Sequence, residues 1–265
     1  MEILPLNQSD LNLLSAIQPL DWTDISIPIQ FYLKTDYCFP FKAIIDGAFV
    51  GTGTAILHEK TGWLSTIIAH PGYRNQGIGK MITEHLIHFL RSHNCDHIYL
   101  IATALGEPVY LKAGFKVHCK YAFYGDINLQ ELEISEFIIP FQTSYKKAII
   151  KIDYEISGEN RSQHLEPFME DSFVYFENGI VKGAYFPTFG DGLILAESEK
   201  PGGELMKKRF QKFKMASIPE ENLAANNFMK SMGFVSKVSN PRMYFGKQMP
   251  WNPKGVFNRV GGKIG

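Results

Sequence analysis

The sequence predicts an α/β chain made of two similar halves, and three observations support this. Strand-like segments alternate with helix-like segments along residues 41–124. The same order of segments returns along residues 173–234. Asp46-Gly47 and Asn178-Gly179 each lie between two apolar strand-like runs, which is the sequence signal of a tight hairpin. The two halves are therefore predicted to be copies of one α/β unit.

The first half begins with two predicted helices, one from a Ser9 N-cap and one across residues 27–35. The hairpin around Asp46-Gly47 follows. Residues 63–69 are almost all apolar, which predicts a central strand. The remaining segments are a helix over 77–93 with one apolar face, a strand over 97–103, a short helix ended by Gly114, and a last strand over 115–125.

The second half repeats the hairpin, the apolar strand, the helix, the strand and a final helix. That helix ends at Gly233-Phe234, which matches Gly114-Phe115 in the first half. We expect the two halves to divide between residues 126 and 140, and we assign domains to residues 1–128 and 129–265. The tail from Gln248, rich in Gly and Pro, is given no element.

Composition and charge exclude several classes of protein. The chain of 265 residues is 45% apolar, and its 27 Lys and Arg balance 27 Asp and Glu. A net charge of zero gives no overall field for nucleic acid or for an anionic membrane. Three cysteines without a CxxC pair favour a reduced compartment. With no signal peptide and no apolar run of 18 residues, we expect a soluble, cytoplasmic protein with neither nucleic acid nor membrane as a partner.

The turn HPGYRNQGIGKM, residues 70–81, lies between the apolar strand and the amphipathic helix. A helix N-terminus preceded by glycines offers backbone N–H groups to a phosphate. The turn lacks the third glycine of a Rossmann fingerprint and the Lys-Ser/Thr of a P-loop. From spacing alone, an ordinary strand-to-helix turn explains Gly77 and Gly79 equally well.

The neighbouring motifs give the turn a context. An apolar strand ends at Ile67–Ala69, Pro71 to Arg74 follows, then Arg74-Asn75-Gln76-Gly77-Ile78-Gly79, and later Tyr110 stands four residues before Gly114-Phe115. Together these motifs over residues 41–124 resemble the GNAT superfamily of acyl-CoA-dependent N-acyltransferases. The resemblance implies tandem GNAT folds, each a mixed, mostly antiparallel sheet flanked by helices, with acetyl-CoA as cosubstrate and no metal. It also implies two sets of cofactor contacts: strand backbone groups for the pantetheine arm, at Ile67, Ile68 and Ala69, and turn residues for the pyrophosphate, at Arg74, Asn75, Gln76, Gly77, Ile78, Gly79 and Lys80.

The second half resembles the degenerate C-terminal acetyltransferase-like domain of two-domain members. Its turn reads EKPGGELM, without the Arg/Gln-x-x-Gly-x-Gly motif. Met229 stands where the family has the tyrosine. We therefore expect this half to shape the acceptor site or an interface rather than to carry a second active site.

Tyr110 is the catalytic candidate. The resemblance implies that its phenol protonates the leaving CoA thiolate, while a strand amide near Ala69 polarises the thioester carbonyl. A phenol with an ordinary pKa near 10 stays protonated at neutral pH. The alternative is a half-buried helix aromatic whose hydroxyl only caps a backbone group.

No general base is assigned. His58, Glu59 and His70 flank the central strand, and Asp21 or Asp36 could reach the acceptor side. Each is also an ordinary surface residue. The histidines and cysteine of HLIHFLRSHNCDH and the basic run 207–214 are read as solvated helix faces, not as a metal site or a nucleic-acid site.

The sequence predicts an N-acetyltransferase that moves an acetyl group from acetyl-CoA to a primary amine of a small molecule or a peptide. The alternative is a protein that binds acyl-CoA as a sensor or scaffold ligand and transfers nothing. The acceptor and the oligomeric state cannot be read from the sequence.

Overall fold

The structure, a computed structural model, describes residues 1–20, 22–126, 132–262 and 264. Asp21 and the predicted domain boundary at 128/129 lie outside these residues. The elements up to residue 124 are β1 (Glu2–Pro5), α1 (Ser26–Tyr32), β2 (Cys38–Ile45), β3 (Ala48–His58), β4 (Thr61–Ala69), α2 (Ile78–Ser92), β5 (His97–Ile101), α3 (Glu107–Lys112) and β6 (Lys116–Tyr124).

The remaining elements repeat this order from β8 onward. They are β7 (Ile138–Pro140), α4 (Lys146–Ser157), α5 (Ser162–Leu165), β8 (Phe173–Glu177), β9 (Ile180–Phe186), β10 (Leu193–Ala196), α6 (Glu199–Phe210), β11 (Ala216–Pro219), α7 (Leu223–Ser231), β12 (Val238–Gly246) and β13 (Val256–Asn258).

The chain divides into two compact units that a single cut does not separate. One unit holds Met1–Lys116 with Met243–Gln248, and the other holds Val117–Arg242 with Met249–Gly265. Strand β12 therefore gives its last residues to the first unit. The division into domains 1–128 and 129–265 stays a prediction.

In the first unit, strands β1 to β5 lie side by side in chain order. Neighbours are antiparallel except β4 and β5, which are parallel. Helix α2 packs on one face of this sheet through Ile78, Ile82, Leu86 and Leu90, which are at most 2% exposed. Burial of four such side chains supplies the main attraction between helix and sheet.

Two glycines of β3 allow α2 to approach the sheet closely. A Cβ on Gly51 would lie 2.9 Å from the Ile82 side chain, and a Cβ on Gly53 would lie 2.6 Å from Ile82 and 2.9 Å from Leu86. These distances are too short for any larger residue. The segment VGTGTAIL is therefore a packing surface for α2, and α2 carries the turn at its N-terminus.

In the second unit, one sheet has the order β13-β10-β9-β8-β7, and β11 pairs antiparallel with β6. Helices α6 and α7 enclose a core with Leu205, Met206, Ala225 and Met229. The unassigned tail contributes β13, which pairs antiparallel with β10. The tail is thus part of the fold.

The predicted α/β class, the repeated order of elements and both hairpins are confirmed. Asp46 and Gly47 have φ of 49° and 80°, and Asn178 and Gly179 have 53° and 81°. The helix predicted from Ser9 is wrong in type and start. The segment Gln8–Ile17 is a 3-10 helix, and Asn7 with Asp10 forms its capping box. Among the described residues, no helix is both long and apolar enough to cross a bilayer.

Candidate active site

Strand β4 has an open edge over its second half. Its pairing with β5 runs from Thr61 to Trp63, and within the described chain it goes no further. On the other edge, β4 remains paired with β3 as far as Ala69. A gap between two parallel strands therefore begins after Trp63.

A β-bulge turns the backbone at this gap. Thr66 has a φ of 52°, and the register between β3 and β4 shifts beside it. The His70 N–H donates to a β3 carbonyl at 2.8 Å. Because antiparallel strands alternate their bonding direction, Ile68 also directs its backbone groups to β3, whereas the N–H and C=O of Ile67 and Ala69 face the gap.

The turn between β4 and α2 forms a concave run of backbone. Asn75 has a φ of 64° and Gly77 a φ of 81°. Helix α2 begins at Ile78, and its first turn has no acidic residue. The first N–H groups of a helix have no partner within it and carry partial positive charge. Residues 74–80 thus form one continuous turn with backbone N–H groups that an anion can accept from, and all but Ile78 and Gly79 are exposed.

The backbone conformation requires a glycine at position 77 but not at position 79. The left-handed φ of Gly77 excludes most other residues. Gly79 has no such φ, and a Cβ there would meet only the Val109 side chain at 3.9 Å, an ordinary contact. A glycine in a helix is less favourable than alanine by about 1 kcal/mol. Nothing in the described chain explains the glycine at position 79.

Two cations flank the turn. Arg74 is exposed. Lys80 lies 3.5 Å from Glu84, and both side chains are 52% exposed. An exposed pair of this kind contributes little to stability, so Lys80 stays available to a ligand.

Tyr110 lies on α3, and it is 8% exposed. Its ring folds back on Gly106, where a Cβ would approach the ring to 2.7 Å. Burial raises the pKa of Tyr110 above its usual value, so the phenol keeps its proton at neutral pH. Among the described residues, the structure records no hydrogen bond to the Tyr110 hydroxyl.

A cluster of buried hydroxyls lies on β4 near the bulge, and sequence reasoning missed it. Tyr32 Oη lies 3.3 Å from Ser65 Oγ, which lies 3.1 Å from Thr66 Oγ1. Thr54 pairs with Ser65 across the strands, and its Oγ1 is buried with no partner in the described chain. The signal that could have found this cluster is the run of polar residues inside two apolar strands.

The base candidates are not brought together. His58 and Glu59 lie beside Thr61, which is on the order of 25 Å along β4 from Ala69. The Nδ1 atom of His70 accepts a hydrogen bond from the Gly72 N–H at 3.0 Å, so that nitrogen caps the turn. Asp36 is exposed. No base is assigned.

The histidines on and after α2 have separate surroundings. His85 packs edge-on against a phenylalanine ring at 4.7 Å, and burial lowers its pKa. Nδ1 of His93 and Nδ1 of His97 each lie 2.8 to 2.9 Å from a backbone carbonyl. In the part of the chain that the structure describes, no group of three or more His, Cys, Asp or Glu could hold a metal ion.

The basic run on α6 does not form a solvated face throughout. Arg209 is 1% exposed, and its guanidinium donates to the carbonyls of Asp191 and Met215. Lys208 lies over the Phe173 ring at 4.8 Å. The expectation of a wholly solvated face is wrong at Arg209.

In the second unit, the C-terminal tail lies between strands β10 and β11. The corresponding strands of the first unit, β4 and β5, have the gap described above between them. Strand β13 pairs with β10, and the Arg259 N–H beside it donates to the carbonyl of Ser217 in β11 at 3.0 Å. A Cβ on Gly202, in the first turn of α6, would lie 2.2 Å from the Phe257 ring. Gly202 is therefore glycine because Phe257 packs on it.

Comparison with known proteins finds sequence similarity in the first half of the chain. A family model described as the acetyltransferase (GNAT) family matches residues 11–115. A glucosamine 6-phosphate N-acetyltransferase from Trypanosoma brucei brucei is 28% identical over 79 residues. That match covers 27% of this chain and 54% of the relative, so the chain matches about half of that protein's length.

Solved structures match over nearly the whole chain. A protein from Pyrococcus horikoshii named as an acetyltransferase has a TM-score of 0.85 at 19% identity, over 100% of this chain and 95% of that one. The chain has a GNAT fold. A tandem GNAT protein from the clavulanic acid biosynthesis pathway has a TM-score of 0.60 at 10% identity, over 92% and 97% of the two chains. At these sequence identities, the two solved structures show the fold of this chain and not its activity.

Proposed function

We propose that the first half binds acetyl-CoA and transfers its acetyl group to a primary amine. Gly79 is the observation that carries this proposal. It is a helical glycine at an exposed helix N-terminus, with space above it that no described residue fills. A phosphate held by the backbone N–H groups needs that space.

The proposed contacts follow the two parts of the site. The backbone of residues 74–80 and the side chains of Arg74 and Lys80 would hold the pyrophosphate. Ile67 and Ala69 would bond the pantetheine arm through the groups that face the gap, and Ile68 would line it. Acetyl-CoA supplies a thioester whose carbonyl carbon an amine can attack.

Acetyl transfer from the thioester to the amine takes three steps. A neutral amine forms the new C–N bond, while the Ala69 N–H stabilises negative charge on the carbonyl oxygen. The C–S bond breaks, the CoA sulfur takes the Tyr110 proton, and the phenolate then takes a proton from water. The amide nitrogen gives up its extra proton to water or to a group of the acceptor. The Tyr110 hydroxyl suits this role because the fold uses it for no recorded hydrogen bond.

The second half would not bind a cofactor. Its helix lacks the turn motif, and Phe257 occupies the surface of Gly202. We propose that this half is a degenerate GNAT-like domain that supports the acceptor site. The rival function, acyl-CoA binding without transfer, keeps the same cofactor contacts and leaves Tyr110 without a task.

The test is release of CoA thiol from acetyl-CoA with a panel of amines that includes glucosamine 6-phosphate, polyamines and peptide N-termini. We expect amine-dependent release that Tyr110→Phe lowers about 10²- to 10⁴-fold, because a general acid contributes on that scale. The Kd for acetyl-CoA should stay within about twofold, since a phenol deletion removes no cofactor contact.

Tyr124→Phe is the matched control. The Tyr124 hydroxyl donates to Asn226 at 2.7 Å, so its loss should lower stability by about 1 kcal/mol and leave turnover unchanged. Acetyl-CoA binding without thiol release for any amine would favour the rival function. Full activity in Tyr110→Phe would remove Tyr110 from the mechanism.

A further inference from the structure

Buried arginines are concentrated in the second unit. A guanidinium keeps its charge inside a protein, so each one needs a partner. The four are at most 8% exposed: Arg161, Arg209, Arg242 and Arg259.

Two of these arginines face a carboxylate. Arg161 Nη2 lies 2.8 Å from Asp153 Oδ1, and its Nε lies 2.9 and 3.1 Å from the two carboxylate oxygens. Arg242 Nη2 lies 3.7 Å from Glu159 Oε1. The charges of these two arginines are therefore matched one to one.

Arg209 and Arg259 differ in how they are satisfied. Arg209 donates to backbone carbonyls of Asp191 and Met215. Among the described residues, the Nε and Nη1 atoms of Arg259 have no hydrogen-bond partner, and no carboxylate forms an ion pair with this guanidinium. Asp191 acts on Arg259 only at longer range. Burial lowers the pKa of Arg259, as expected for a cation without a close anion.

A second unsatisfied group lies beside Arg259. The Ser217 Oγ is buried with no partner in the described chain. Ser217 in β11 pairs with Phe123 in β6, and Tyr121 is two residues from Phe123. Ser217 and Tyr121 therefore point to the same face of the sheet. The Arg259 guanidinium lies 5.3 Å from the centre of the Tyr121 ring, and its N–H bonds to the Ser217 carbonyl. The backbones of Arg259 and Ser217 are therefore neighbours, and the guanidinium lies near a ring on the same face of the sheet as the hydroxyl.

We propose that Arg259 and Ser217 form a binding site for a small carboxylate. A guanidinium N–H donates readily to a carboxylate oxygen, and a hydroxyl can donate to the same carboxylate. Arg209 has carbonyl acceptors, so Arg259 is the arginine of the four at which a single negative charge is expected. Tyr121, Ser217 and Arg259 are all at most 8% exposed, so only a small ligand could reach these groups.

The test is thermal unfolding of the full chain against the concentration of sodium acetate, with sodium chloride and inorganic phosphate at matched ionic strength. We expect a saturating rise of Tm with acetate and a smaller, non-saturating change with chloride. Arg259→Met should remove the saturating response. Ser217→Ala should raise the half-saturating concentration about tenfold, because it deletes one hydrogen bond to a charged group.

Ser172→Ala is the control for Ser217→Ala. The buried Ser172 hydroxyl donates to the Met169 carbonyl at 2.6 Å, so its loss should lower Tm without moving the acetate midpoint. If Arg259→Met does not fold, the Ser217→Ala midpoint decides. Equal responses to acetate and chloride, or an unchanged midpoint in Ser217→Ala, would overturn the proposal. Saturation by phosphate and not by acetate would overturn the assignment to a carboxylate.

Discussion

At the scale of single residues, Gly79 and Tyr110 share one property. The missing side chain of Gly79 and the hydroxyl of Tyr110 do not stabilise the fold. Gly79 offers space that no described residue fills. The Tyr110 hydroxyl makes no recorded hydrogen bond with any residue that the structure describes. Residues that do not contribute to the stability of the folded state are expected at functional sites, where they contact a ligand instead. Both lie in the unit that carries the open strand edge.

Substitution at Gly79 separates stability from binding. Gly79→Ala should raise the free energy of unfolding of the unliganded protein by about 0.5–1 kcal/mol, because alanine favours the helix. It should weaken acetyl-CoA binding, because the Cβ enters the space proposed for the pyrophosphate. Chemical denaturation with and without acetyl-CoA measures both quantities.

Gly203→Ala is the matched control in the second unit. Gly203 lies inside α6, and a Cβ there would lie 4.0 Å from Phe228. Its stabilisation should be similar, with no change in acetyl-CoA binding. If Gly79→Ala binds acetyl-CoA as tightly as the wild type, the turn does not hold the pyrophosphate.

His118 gives the second unit a predictable response to acid. Burial and the nearby Arg242 lower the pKa of His118 to about 4, below its ordinary value near 6.5. The unfolded chain takes up this proton at higher pH than the folded chain does. Stability from this group is complete above pH ~6.5, and it is lost as the pH falls towards about 4. The loss should be about 1–2 kcal/mol, because the ring is only partly buried.

His118→Gln should lose less stability than the wild type between pH ~6.5 and ~4. Urea denaturation at a series of pH values measures the difference. His88→Gln is the control, since the His88 side chain is exposed. Identical pH profiles for the wild type and His118→Gln would contradict the assignment.

At the scale of elements, corresponding helices of the two halves serve different partners. The N-terminus of α2 faces solvent beside an open strand edge. The first turn of α6 packs on Phe257 of the tail strand β13. The same supersecondary unit therefore has an uncovered helix N-terminus in one copy, whereas in the other copy its own chain packs on that helix.

Neighbouring glycines of α6 should respond in opposite directions to alanine. Gly202→Ala should lower the free energy of unfolding by about 1–3 kcal/mol, because its Cβ would overlap the Phe257 ring. Gly203→Ala should raise it. Denaturant midpoints of the two variants test this. A stabilising Gly202→Ala would show that Phe257 does not pack on α6.

Hairpins and amphipathic helices were predictable because each is encoded within a few residues, as at Asp46-Gly47 and along α2. The 3-10 helix Gln8–Ile17 was not, since its capping box at Asn7 and Asp10 competes locally with the apparent cap at Ser9. Strand β13 was not, because three residues carry no periodicity. The partners of β13 are distant in sequence.

At the scale of the whole molecule, two similar sequences give two units, and the first unit includes the last residues of β12. A boundary drawn on the sequence assumes that neighbours in the chain are neighbours in space. That assumption fails for residues 243–248, which belong to the first unit although they follow the second repeat. The candidate site was predictable in its turn and tyrosine, because those motifs are contiguous. The hydroxyls near Thr66 come from three separate elements, and the sequence alone does not bring them together.

The central claim is that one acetyl-CoA binds each chain, on the turn of residues 74–80. Isothermal titration of acetyl-CoA into the wild type and Gly79→Glu tests it most directly. The glutamate should not unfold the chain, because position 79 has room for a Cβ and a carboxylate is favourable at a helix N-terminus. We expect one site per chain in the wild type and no binding in Gly79→Glu, with equal Tm or a slightly higher Tm for the variant. Two sites in the wild type, or unchanged binding in Gly79→Glu, would contradict the account.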